Sequence, residues 1–167
     1  MPSDDDSHRI HIAANDPAFP AKREAAVALL CQTITSIATP FGYLCKGTTW
    51  SRQTAQGRSA VNLQRGRYGW NAFINLRFVT AQGTPPMGAD WADAGTDDIR
   101  INRFCQGDEA QNLKDGAIAY LDAQENSAIL NFAMHILQSR ALPWLDAHHH
   151  GQPTIASYLP IVKGQLA

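Results

Sequence analysis

Between residues 27 and 79 the hydrophobic period of the chain changes from three-to-four to two, and this switch constrains the fold more than any other feature. Val27, Leu30, Ile34, Ile37 and Phe41 recur at the spacing of an amphipathic helix with one buried stripe. Asp16 before Pro17 starts that helix, and Thr39-Pro40-Phe41-Gly42 ends it, because proline restricts the residue before it and offers no N–H. From Tyr43 to Val79 the alternation predicts three strands, roughly 43 to 53, 59 to 65 and 72 to 80, turning at Gln56-Gly57 and at Arg67-Tyr68-Gly69-Trp70. A helix followed by an antiparallel meander gives an α+β domain.

Parity fixes how the strands pair. Opposed residues of an antiparallel pair share a face, so Leu63 against Ile74 puts Val61 against Leu76 and, on the other face, Asn62 against Asn75. Trp50 is expected opposite Leu63. Tyr43 and Trp50 have opposite parity, which predicts a bulge at Gly47 and a curved sheet. A fourth strand is expected at Asp98 to Phe104, and helices over Asp108 to Leu121, Glu125 to Arg140 (stopped by Pro143) and Thr154 to Lys163. The expected architecture is therefore a curved antiparallel sheet of about four strands, with the N-terminal helix and C-terminal helices packed on one face.

Residues 1 to 15, with Asp4 to Asp6 in a row, read as a mobile tail in which Ile10 and Ile12 alternate with His11 as in a short strand; 16 to 167 read as a single domain, a common size for one. Ala81 to Thr96, holding Gly83, Pro85, Pro86, Gly88, Trp91 and Gly95, reads as a long loop. The acidic start suggests neither a signal nor a transit peptide, and the apolar runs fall short of the ~18–20 residues of a span, so a cytoplasmic location without a membrane partner is the expectation. Cys31, Cys45 and Cys105, odd in number and set in apolar segments, read as buried thiols.

Net charge is −1, yet no acidic residue stands between Glu24 and Asp90, a window that holds Lys46, Arg52, Arg58, Arg65, Arg67 and Arg77. The face carrying Asn62, Gln64, Asn75 and Arg77 is then rich in amides, short of carboxylates, and edged by Arg65, Arg67, Tyr68 and Trp70. One face of an antiparallel sheet often simply meets water, but such faces usually mix Lys, Glu and Thr. The run His148-His149-His150 has too few neighbouring ligands for a metal site, and no nucleophile elbow, phosphate loop or dinucleotide fingerprint is present. No catalytic residue, metal or cofactor is assigned.

The stretch Phe41 to Arg52, followed by Val61-Asn62-Leu63-Gln64-Arg65-Gly66 and Phe73-Ile74-Asn75-Leu76, resembles the bacterial family of domain of unknown function 4304, most clearly over residues 30 to 80. The resemblance implies an α+β fold and no catalytic residues, and its polar strand positions coincide with Asn62, Gln64 and Asn75. The functional expectation is a non-catalytic binding module, of the immunity or adaptor kind, that presents its polar, basic sheet face to a protein partner with an acidic surface. The alternative is an enzyme or small-molecule binder using a pocket between that face and the 81 to 96 loop. Nucleic-acid binding, through arginines interleaved with Trp50, Tyr68 and Trp70, ranks third.

Overall fold

The structure, a computed structural model, describes residues 3 to 83 and 99 to 151. Trp91 and the helix expected over Thr154 to Lys163 lie outside the described residues, as does most of the 81 to 96 loop. The elements in chain order are α1 (Asp4–Asn15), α2 (Phe19–Ala38), β1 (Leu44–Lys46), β2 (Thr49–Thr54), β3 (Gly57–Arg65), β4 (Asn71–Thr80), β5 (Ile99–Arg100), β6 (Ala117–Ala119), α3 (Ala128–Ile136) and α4 (Leu142–His149). Helices and an antiparallel sheet make an α+β fold, with six strands among the described residues rather than about four. The sheet runs β1-β2-β3-β4-β5, and β6 also pairs with β4.

The β3–β4 register is the one that parity predicts: Leu63 faces Ile74, Val61 faces Leu76 and Asn62 faces Asn75. Trp50 faces Val61 instead of Leu63. That two-residue difference preserves parity, so each side chain keeps its face. The expected long first strand is a hairpin. Lys46 pairs with Thr49 around Gly47-Thr48, with Gly47 at φ 64, so a reversal of the chain, not a bulge, brings both Tyr43 and Trp50 inside.

Helix α2 lays Val27, Leu30, Ile34 and Ala38 on the apolar sheet face in one core with Trp50, Val61, Leu63, Ile74 and Leu76. The Trp50 indole donates to Thr35 Oγ1 at 2.9 Å, which satisfies the one polar atom of a fully buried side chain. Phe19–Phe41 is long and apolar enough to cross a membrane by length and composition, contrary to the expectation that no run is; a core helix passes the same test.

Residues 4 to 15 form α1 in place of a tail or strand. Ser3 Oγ accepts from the Asp6 N–H and the Asp6 carboxylate accepts from the Ser3 N–H, while Asp4, Asp5 and Asp6 occupy the first turn, where the helix dipole favours anions. The expected fourth strand is only Ile99–Arg100, followed by a 3-10 turn over Ile101–Phe104. The helix expected at Asp108 to Leu121 is a 3-10 segment, Gly107–Gly116, broken at Leu113–Asp115 and leading into β6.

Pro143 does not stop the C-terminal helix. Between α3 and α4 the chain widens into a π turn, Leu137–Ala141, in which the Leu142 N–H reaches back to the Leu137 carbonyl. The wider turn relieves the clash a proline ring makes with the preceding turn, and the helix runs on to His149. Cys105 is buried and Cys31 half-buried, whereas Cys45 is exposed; all three are free thiols.

Candidate functional site

The continued α4 helix drives the histidine run into the core. His149 Nε2 lies 2.6 Å from Ser59 Oγ, Ser59 Oγ 2.6 Å from the Tyr43 hydroxyl, and His149 Nδ1 2.7 Å from Thr54 Oγ1. His148 packs against Phe78 and edge-on against Trp144, with ring centroids 5.1 and 4.7 Å away. Burial holds both imidazoles down at about 4 and pushes the Tyr43 phenol up to about 12. A hydroxyl, an imidazole and a second hydroxyl in line are the parts of an activated nucleophile. Here Ser59 is 1% exposed, and the network ties α4 to β2 and β3. Among the described residues no group of three metal-ligating side chains gathers.

The opposite face carries the candidate site. At the end of the sheet marked by the β3–β4 turn lies a cleft of about 720 Å³. Its floor is polar sheet face: Gln64 from β3, Asn71 and Phe73 from β4, and the small Ala117 and Ala119 of β6, whose short side chains leave the depression. Arg67, Tyr68 and Trp70 stand at the turn; the first turns of α1 and the Gly107–Gly116 segment form the walls.

Charge on these walls is mixed. Arg9 is paired with Asp122 at 2.8 Å and stands 3.7 Å from Asp6. The Arg100 guanidinium sits 4.0 Å from the centre of the Phe73 ring and donates to the Asp115 carbonyl at 3.3 Å. Arg67 lies 5.9 Å from the Tyr68 ring centre, and Tyr68 is 69% exposed. Among the described residues neither Arg67 nor Lys114 has a carboxylate partner.

Of the eight residues singled out from sequence, the cleft brings together Gln64, Arg67, Tyr68 and Trp70. Asn62 stays on the same face but is tied to Thr49 Oγ1 at 2.9 Å, and Arg77 is exposed farther along β4. Asn75, expected to be solvated, is buried and donates to Gln64 Oε1 at 2.7 Å. Arg65 has the parity of Val61 and Leu63, so it turns toward α2 and binds the Glu24 carboxylate in two bonds of 2.8 and 3.1 Å. Arg52 likewise pairs with Asp146. The acid-free window is therefore not a uniformly positive surface, because helices from elsewhere in the chain supply the counter-charges.

Sequence reasoning missed Asn71, Phe73 and Arg100, together with the acidic first turn of α1. Asn71 and Phe73 share the parity of Asn75, a signal that was present. Nothing in local pattern placed α1 beside the sheet. No protein-family model, no curated protein and no solved structure matches the chain.

Proposed function

We propose that this chain is a non-catalytic binding module, in the manner of an immunity or adaptor protein, and that the cleft beside the β3–β4 turn is where it meets a protein partner. The observation that carries the reading is Tyr68, a large aromatic left 69% exposed at a turn, with Arg67 beside it and a cleft behind it. Tyr and Arg are the residues most often found where binding energy concentrates, because each offers a rigid apolar surface together with a polar handle. An acidic side chain of the partner finds Arg67 and Lys114 there. Membership of the family that the Phe41 to Arg52 stretch resembles belongs to the same proposal.

The test is site-specific photo-crosslinking in the native host, with the photoreactive residue at position 68 and, as control, at exposed Arg58 of β3. A discrete adduct formed from position 68, absent from position 58 and abolished by Arg67→Glu, supports the reading; equal labelling from both positions, or none, removes it. A cleft of about 720 Å³ also falls in the size range of small-molecule pockets, ~300–1,000 Å³. A metabolite that raises the melting temperature and protects position 68 from labelling would favour that second reading.

A further inference from the structure

Asn71 is 6% exposed, yet its carboxamide makes no hydrogen bond with any described residue. Its carbonyl accepts from the Gly66 N–H at 2.8 Å, closing the end of the β3–β4 ladder. The side-chain amide lies over Gly66. A Cβ at position 66 would come within 1.8 Å of Asn71 Oδ1, so the missing side chain of Gly66 is the space that the carboxamide fills. The carboxamide lines the cleft and is not among the polar atoms sealed from solvent without a partner, so the open cleft is where it can be met by a ligand.

We propose that the Asn71 carboxamide reads the main-chain N–H and C=O of one residue in an extended segment of the partner protein, laid in the cleft between Tyr68 and the α1 wall. The inference rests on the binding-module reading above and names what that site recognises. A carboxamide has one N–H side and one C=O side, and an extended residue turns its own N–H and C=O to the same edge of the strand, so the two pair through a ring of two hydrogen bonds. Gln64 supports the same recognition: its Oε1 is occupied by Asn75, which leaves its N–H groups as donors on the cleft floor. Main-chain bonds supply affinity in such complexes, and flanking pockets supply selectivity. Here the flanks are Tyr68 and Trp70 for an apolar or aromatic side chain, and Lys114 for an acidic one. A nucleobase edge could satisfy an amide equally well, but a nucleic-acid backbone would face Asp5, Asp6, Asp115 and Asp122 on the walls.

The probe is a phage-displayed library of random dodecapeptides panned on the full chain, with enriched peptides synthesised and measured by fluorescence polarisation. Asn71→Ala is expected to weaken them about ten-fold or more, the scale of one well-placed amide contact. Gly66→Ala, which evicts the carboxamide but leaves Asn71 in the sequence, is expected to do the same; Arg77→Ala, outside the cleft, is not. Thermal melts of each variant separate lost binding from lost folding, and if Gly66→Ala melts early, Asn71→Ala alone decides.

Peptides with single N-methylated bonds give the sharper reading. One bond is expected at which methylation weakens wild type as much as Asn71→Ala does, and adds nothing in that variant. Enriched peptides indifferent to Asn71→Ala overturn the proposal, as does Asn71-dependent capture of a single-stranded oligonucleotide. Failure of panning while position 68 still crosslinks a partner sinks the peptide reading and leaves the binding module standing; failure of both sinks both.

Discussion

Acid should loosen this fold earlier than its carboxylates alone would dictate, because two imidazoles are held neutral at the junction of α4 with the sheet. His148 and His149 are each 5% exposed and held at about 4 against an ordinary 6.5, by burial in both cases and by Arg52 as well for His149, against which Asp146 pulls the other way. The groups facing them include the hydroxyls of Thr54 and Ser59, the Arg52–Asp146 pair, His150, and the rings of Phe78 and Trp144. A folded-state proton affinity below the unfolded one means that the unfolded chain takes up more protons. The stabilisation is therefore complete above pH ~6.5 and is lost as pH falls toward about 4. Each imidazole contributes at most about 3 kcal/mol over that window, from about 1.4 kcal/mol for each pH unit, so the pair matters against a domain stability of ~5–15 kcal/mol. Glu109, held at about 2 by Arg140, begins to release its own share only below its ordinary 4.5, so above pH 4.5 its share stays whole while the histidines lose theirs. Urea denaturation followed by tryptophan fluorescence at steps from pH 7.5 to 4.5 measures the slope. His149→Gln and His148→Phe should each remove about half of it. Equal wild-type stability at pH 7.5 and 4.5, or an undiminished slope in both core variants, would refute the reasoning.

Leu76 is fully buried between β3 and β5, so Leu76→Ala should destabilise by about 2–5 kcal/mol in urea titrations. Asn75→Ala removes a buried donor from Gln64 and should cost about 1–2 kcal/mol by the same titration, where a solvated amide would cost nothing. Helix α1 has no buried residue and is held across the cleft by the Arg9–Asp122 pair, so Arg9→Ala should speed amide exchange through Asp4–Asn15 severalfold while leaving α2 protected. Unchanged exchange in α1 would show that Ile12 and Ala13, packed against the core, hold it instead.

The parts of the fold legible in the sequence are those governed by a strict period. One buried face makes a one-residue slip intolerable, so the β3–β4 pairing followed from alternation alone, and even the error in pairing Trp50 preserved the face. Punctuation was less legible. Gly47 marks an irregularity in any reading, but a bulge and a two-residue hairpin both resolve the parity conflict between Tyr43 and Trp50, and only the pairing of Lys46 with Thr49 separates them. Pro143 stops a regular α-helix, and local pattern does not announce that a π turn will accommodate it. The Asp4–Asp6 run has the composition of a solvated tail; Ser3, three residues before Asp6, was the cap that made it a helix start.

The site was legible to the extent that it is sheet and illegible to the extent that it is assembled. Gln64, Tyr68 and Trp70 sit on one hairpin, so their neighbourhood is local and readable. The cleft also needs Ala117 and Ala119 from a strand that no period signals, Arg100 from a strand of two residues, and the acidic turn of α1, each brought in by contacts across long stretches of chain. Charge shows the same division. A window without acids looks positive when read along the chain, but Glu24 and Asp146 on helices before and after it neutralise Arg65 and Arg52, the two arginines whose parity turns them inward. Lys46, Arg58, Arg67 and Arg77 stay exposed, and of these Arg67, packed on Tyr68, is the one at the lip of the cleft. The charge pattern of the surface is thus set by which charges the helices leave unanswered, a property of the packed molecule that no segment of its sequence carries alone.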